Sequence, residues 1–159
     1  MQNVVPDRFE DRAEFKLAGV RESFHVANAP HHIGEIWAKL NQLAPLPGQT
    51  ADAAYGVWCS MDKSKGLGEY MAGAEVSGFD SLPTDVGRMI VPAARYAVFK
   101  HDGPVTEAGG VWQGIFGAWL PNSGFVDGGT PPFERYGPDF DVADKSGGME
   151  IWLPIKAAE

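Results

Sequence analysis

The sequence predicts an α+β fold, an antiparallel sheet with helices on one face, assembled from two pseudo-symmetric β-α-β-β repeats. Three observations carry this expectation. Apolar alternation of period two and helical periodicity appear along the chain in a fixed order, and the same order then recurs. A length of 159 residues suits a single domain. Hydrophobic residues make up 44% and charged residues 21%, with no apolar run near the ~18 residues of a membrane span, so the composition is that of a globular chain.

Repeat one covers residues 13–79. EFKLAGVRESFHV (14–26) reads as a strand, bounded by the charged DRFEDR before it and by Asn28 and Pro30 after it. HHIGEIWAKLNQLA (31–44) reads as a helix, with Ile33, Ile36, Trp37, Leu40 and Leu43 on one face until Pro45 and Pro47 stop it. AAYGVWCSM (53–61) and GEYMAGAEVSGF (68–79) are β-prone, and the polar DKSKGLG between them makes a hairpin. A link of residues 80–92, bearing Pro83 and Pro92, is short enough to keep both halves in one domain of residues 1–159.

Repeat two covers residues 93–157. ARYAVFKHDG (94–103) is its strand, Thr106 is placed to cap the helix VWQGIFGAWL (111–120), and Pro121 closes that helix. PPFERYGPDFDV (131–142) and GMEIWLPIK (148–156) form the closing hairpin. Laid over one another, the halves match Phe15 with Tyr96, Tyr55-Gly56 with Tyr136-Gly137, and residues 73–76 with 148–151. The repeated element order carries more weight than the matched letters.

A formal charge of −8 disfavours nucleic acid and anionic membrane as partners, and raises the local concentration of cations at any acid-lined cleft. The opening stretch lacks the apolar core of a targeting segment and carries acids, which implies a cytoplasmic protein. Cys59, the single cysteine, sits in the apolar YGVWC and reads as a buried structural thiol. His25, His31, His32 and His101 show no metal-ligand spacing, the glycines of KGLGEYMAG do not lie between a strand and a helix as a phosphate loop must, and no serine has a nucleophile-elbow context. No metal or other cofactor is expected.

Two features could carry chemistry. In the second helix Val111, Ile115 and Ala118 form one stripe, and Trp112, Phe116 and Trp119 form an adjacent stripe at the same spacing. Only one stripe can be centred on a sheet, and four glycines in this segment suggest that something approaches its backbone closely. A wide buried helix face accounts for the same pattern. The second feature is Glu75 and Glu150, which strand alternation sets opposite their apolar neighbours, with Trp152 on the face of Glu150. A carboxylate beside aromatic faces suits an organic cation, and a desolvated, unpaired one would have a raised pKa. An ordinary solvated glutamate is the other reading, and alternation alone does not say which sheet face carries either acid.

Taken together, RYAVFKHDGPV, VWQGIFGAWLPNSGF, PPFERYG and MEIWLPIK, with YGV and EYMAGAEV in the first half, resemble the GyrI-like effector-binding domain. That family is similar to the ligand-sensing parts of AraC-type and MerR-type multidrug-responsive regulators, to DNA gyrase inhibitory proteins and to hydrolases of cyclopropane-bearing toxins. The resemblance implies an aromatic pocket between two β-α-β-β modules, with an acid that receives cationic drugs. Carried over by motif, Glu150 is the acid and Glu75 a weaker candidate. Trp37, Tyr55, Trp112, Phe116, Trp119, Tyr136 and Trp152 are the aromatic candidates. Only about a dozen residues precede the first strand, too few for a helix-turn-helix, so a stand-alone module for a small hydrophobic cation is expected. Two alternatives stand beside it: a hydrolase of strained toxins using Glu150, and a module that binds gyrase or a transcription regulator.

Overall fold

The computed structural model describes residues 4–43, 45–62, 64–137, 140 and 147–158. In chain order its strands are β1 (Arg8–Arg12), β2 (Phe15–His25), β3 (Gln49–Asp62), β4 (Leu67–Val76), β5 (Gly87–Val91), β6 (Ala94–His101), β7 (Phe125–Asp127), β8 (Phe133–Tyr136) and β9 (Met149–Ala157). Helix α1 is Ala29–Leu43 and α2 begins as Ala108–Gly114. The chain divides into two compact units, Glu14–Val91 and the remainder, the latter joining the residues up to Ala13 to those from Pro92 onward. No described helix is long and apolar enough to cross a membrane.

In the unit Glu14–Val91 the strand order is β3-β4-β2-β5, every pair antiparallel. Strand β5 lies within the stretch read as the link between halves, where GRMIV is a short apolar run that pairs along one side with β2. Helix α1 packs Ile36 and Leu40 on Ala18, Phe24, Tyr70, Ala72, Ala74 and Val76, while Leu43, expected on that face, is exposed. The strands approach closely at Gly19, which is opposite Gly73 on one side and Gly87 on the other. A Cβ at Gly19 would overlap the Ala72 carbonyl oxygen and lie 2.6 Å from the Gly73 Cα. At Gly56 a Cβ would overlap the Tyr70 hydroxyl.

In the other unit the order is β1-β6-β9-β8, again antiparallel, and β7 also pairs with β9. RFEDR, read as a charged boundary, is therefore a strand, one whose alternation hides behind its charge. The closing hairpin of β8 and β9 forms, although residues 138–139 and 141–146 of its connection lie outside the described residues. Thr106 does not cap α2: it sits inside a single 3-10 turn, Val105–Glu107, and neither that turn nor α2 has a side-chain cap. Pro121 lies within the helix's last turn, Leu120–Asn122, so the helix closes one residue beyond it.

Between α2 and that last turn, Ile115–Trp119 forms a π turn. The wider turn sets every later position back by about one residue, roughly 100° around the axis. Trp119 consequently turns toward the side of Val111 and Ile115 and packs, as Trp112 also does, against the core of Phe99, Met149, Ile151 and Leu153, while Phe116 is exposed. A Cβ at Gly109, Gly110 or Gly117 would meet nothing within 4 Å, so the expected close approach to this backbone does not occur at those positions.

Gly19→Ala is expected to destabilise the fold by about 2 kcal/mol or more, because the clash is with backbone and not with a movable side chain. Thermal unfolding followed by circular dichroism should show a loss of roughly 4–8 °C. An unchanged midpoint would mean that the strands here separate at no cost.

Candidate functional site

Strand β9 has two faces. Met149, Ile151, Leu153 and Ile155 point into the α2 core, so Glu150 and Trp152 point the other way. Directly opposed residues share a face, and the register adds Tyr96, Val98 and Lys100 from β6, Lys100 lying opposite Glu150, with Phe133 and Arg135 from β8, and Arg8, Glu10 and Arg12 from β1. Two carboxylates, three aromatic rings, three guanidinium groups and one ammonium group thus occupy one side of this unit's sheet.

Their contacts are specific. Arg8 Nη1 donates to Glu150 Oε2 at 2.8 Å and Trp152 Nε1 donates to Glu150 Oε1 at 3.1 Å. Arg135 Nη1 stands 3.8 Å from the same Oε1. Arg8 also bonds Glu10 and Asp7. The guanidinium carbons of Arg8 and Arg12 lie over the Trp152 ring, 5.5 and 5.9 Å from its centroid. Phe133 stacks on that ring at 5.5 Å, and Tyr96 meets both rings edge-on at 5.4 Å. Trp152 is only 4% exposed, and the buried Tyr96 hydroxyl meets no hydrogen-bond partner among the described residues.

Burial pushes the Glu150 carboxyl pKa up, but the hydrogen bonds from Arg8 and Trp152 and the charges of Arg8 and Arg135 outweigh it. The net result lies below the usual glutamate range. The Arg8 guanidinium is raised in return, chiefly by its bond to Glu150. An unpaired acid with a raised pKa, the condition set out from the sequence, is therefore not met: Glu150 is sheltered but paired.

In the unit Glu14–Val91, alternation also turns Glu75 away from the helix, since its neighbours Ala74 and Val76 belong to the α1 core. Tyr55 donates from its hydroxyl to Glu75 Oε1 at 3.3 Å, and its ring lies 5.7 Å from Phe15. Trp37 is on the opposite side of that sheet, its Nε1 donating to the Tyr70 hydroxyl at 3.1 Å within the α1 core.

The remaining aromatic candidates lie on the α2 side. Trp119 packs edge-on to Phe99 at 5.1 Å and lies half-buried against the core. Trp112 stacks with Phe116 at 6.0 Å and donates from Nε1 to Glu134 Oε2 at 2.9 Å, while the Tyr136 hydroxyl donates to Glu134 Oε1 at 2.8 Å. Tyr136, opposite Met149, thus faces away from Glu150, whereas Tyr55, opposite Gly73, shares the face of Glu75. The letter match of these two tyrosines does not extend to their placement. The structure brings Glu150 together with Trp152, Glu75 with Tyr55, and Trp112 with Phe116 and, through Glu134, with Tyr136.

Sequence reasoning did not single out Arg8, Arg12, Arg135, Phe133 or Glu134, nor Tyr96 as a site residue. Alternation within RFEDR and FERY was the available signal, because it sets Arg8 with Arg12 and Phe133 with Arg135. A cleft of about 360 Å³ opens beside α1, β2 and β5, but it is lined by charged pairs such as Lys39–Glu22 and contains none of the nine candidate residues.

The antiparallel sheet with few helices thus carries acid and rings on a face turned away from its helix. The GyrI-like small molecule binding domain matches residues 8–156, and the chain belongs to that family. It is similar to the transcriptional regulator BrlR of Pseudomonas aeruginosa, 27% identical over 152 residues, which are 93% of this chain and 54% of the regulator. It is also similar to a DNA gyrase inhibitor of Erwinia billingiae, 36% identical over 75 residues, 44% of each protein. The chain thus spans about half the length of these curated relatives. Among solved structures, SAV2435 bound to tetraphenylphosphonium superimposes with a TM-score of 0.70 at 20% identity, covering 94% of this chain and 93% of that one. An integron cassette protein of Vibrio cholerae gives 0.67 at 16% identity, covering 98% and 100%. These likenesses support the mostly antiparallel fold.

Two measurements check the electrostatics. A carboxyl held below its unfolded range stabilises the fold fully at neutral pH, and that contribution is lost as pH falls through the folded value. Glu150→Gln should therefore cost about 1–2 kcal/mol at pH 7, and its gap from the wild type should narrow below about pH 4, as read by denaturant unfolding across pH. Burial pushes the Cys59 thiol up to about 11 against the opposing charge of Arg21. With ~0.1% thiolate at pH 8, Cys59 should react with iodoacetamide far more slowly than a free cysteine, as mass spectrometry would show.

Proposed function

We propose that this chain binds hydrophobic, ring-bearing organic cations through the face bearing Glu150, Trp152, Tyr96 and Phe133. The observation that carries the reading is the Glu150–Trp152 hydrogen bond: an ionised, mostly buried carboxylate is fixed against an aromatic cluster. Ring faces attract a cation through their quadrupoles, the acid adds an opposite charge, and apolar burial supplies affinity that neither provides alone. Membership of a small-molecule-binding family and the fold shared with a protein solved with tetraphenylphosphonium support the same class of ligand. Glu75 with Tyr55 and Phe15 is the counterpart in the other unit, and the two units are read as pseudo-symmetric copies of one β-α-β-β plan. No reaction is needed. Glu150 is ion-paired and ionised, so it has no proton to donate as a general acid at neutral pH.

Titration of tryptophan fluorescence with tetraphenylphosphonium and with neutral triphenylphosphine oxide tests this. Saturable quenching by the cation is expected, with Glu150→Gln weakening it about tenfold and the neutral analogue by less than about twofold. Equal losses for both compounds would remove the charge role.

A further inference from the structure

We infer that Arg8 is a tethered competitor of the ligand, an internal cation that occupies the Glu150–Trp152 site until an external cation displaces it. The inference rests on the reading above of that site as the one that takes cations.

Three observations point to it. First, Arg8 makes the two contacts that an organic cation would make there, a charge-assisted bond to Glu150 at 2.8 Å and a position over the Trp152 ring at 5.5 Å. Second, the site has no open place for another cation: Trp152 is 4% exposed, Phe133 is stacked on it, and Glu150 already accepts from Arg8 and Trp152 with Arg135 close by. A ligand that stacks on this ring must therefore move a group already there. Third, Arg8 has somewhere to go. Its guanidinium also bonds Asp7 and Glu10, whose side chains are more exposed than that of Glu150, so it can release the buried acid without losing every partner. Its strand β1 is short and pairs, in this unit, with β6 alone.

An internal cation of this kind sets both selectivity and threshold. Free Arg8 is always charged, so exchange is one cation for one cation: the face keeps its charge balance, and a neutral molecule gains nothing from Glu150 to offset the loss of the Arg8 contact. The apparent affinity of any cation is lowered by the fraction of molecules in which Arg8 holds the site. Weak cations such as free amines are then rejected, and only ligands with enough apolar surface to add to the charge succeed.

The test uses Arg8→Ala and Arg8→Gln in the full chain, with fluorescence titration by tetraphenylphosphonium and by triphenylphosphine oxide, and circular dichroism to confirm folding. Both variants should bind the cation about tenfold more tightly than the wild type, with the neutral compound shifting much less. Unchanged or weaker cation binding by a folded variant overturns the inference. Should both variants fail to fold, the Arg8 side-chain Nε–H signal of the wild type, followed by NMR with labelled arginine, replaces them. A shift and faster solvent exchange on saturation with tetraphenylphosphonium supports displacement, and an unmoved signal overturns it. The two readings fail separately: if Glu150→Gln weakens the cation selectively while Arg8 variants gain nothing, only the competitor is lost. If neither the wild type nor the Arg8 variants bind the cation, both are lost.

Discussion

A strand held between two neighbours offers its side chains two faces and no third place, and β9 uses both in alternate residues. Met149, Ile151, Leu153 and Ile155 form the floor on which α2 sits, which fixes the strand's register and leaves Glu150 and Trp152 no choice of side. A slip of one residue would bury the glutamate in the α2 core and turn the isoleucines outward. The position of the acid is thus enforced by the hydrophobic core behind it. The same logic holds in the other unit, where Ala72, Ala74 and Val76 pack toward α1 and Glu75 is turned away.

Placing a carboxylate on such a face creates an electrostatic problem that the neighbouring strands answer. Glu150 has a side chain only 13% exposed, and an ion removed from water to that degree is costly unless paired. Two unit charges at 4 Å attract by about 4 kcal/mol at an effective dielectric of 20, an amount that desolvation of both partners largely offsets. The net gain from any one cation is therefore modest. What a paired cation brings besides charge, such as planarity for stacking, apolar surface or a tether, then decides how firmly a buried carboxylate holds it. Glu75 meets a milder version of the problem, accepting from the neutral hydroxyl of Tyr55.

The sequence reveals this arrangement unevenly. Period-two alternation was clear in β2, β4, β6 and β9, and the helical face of α1 was clear through Ile36 and Leu40, because in each the apolar positions outnumber the polar ones on one side. β1 was hidden, since RFEDR sets Arg8, Glu10 and Arg12 on one face and Phe9 with Asp11 on the other, charged positions on both sides that hydrophobicity does not separate from a boundary. Its pairing with β6 depends on contacts some ninety residues away, beyond local periodicity. Glu150 and Trp152 were identifiable as sharing a face, but the partner that sets the acid's charge state, Arg8, lies 142 positions away in sequence. The aromatic stripe of the second helix misled for a different reason: equal spacing assumes 3.6 residues per turn, and the π turn at Ile115–Trp119 breaks that assumption just before Trp119.

Most of the chain's rings belong to the cores, and what separates Trp152 from Trp37, Trp112 or Trp119 is the company it keeps. Trp37 donates to a phenol and packs on aliphatic residues, Trp119 sits among phenylalanines, and Trp112 donates to a carboxylate that is also bonded to Tyr136 with no cation paired to it among the described residues. Trp152 alone of these combines a hydrogen bond to an acid with guanidinium groups over its ring. Those guanidiniums come from β1 and the acid from β9, so the chemistry of the face depends on β1 being laid beside β6. Substitutions in the first strand therefore act on the electrostatics of this face as directly as substitutions in the last, although the two are at opposite ends of the chain.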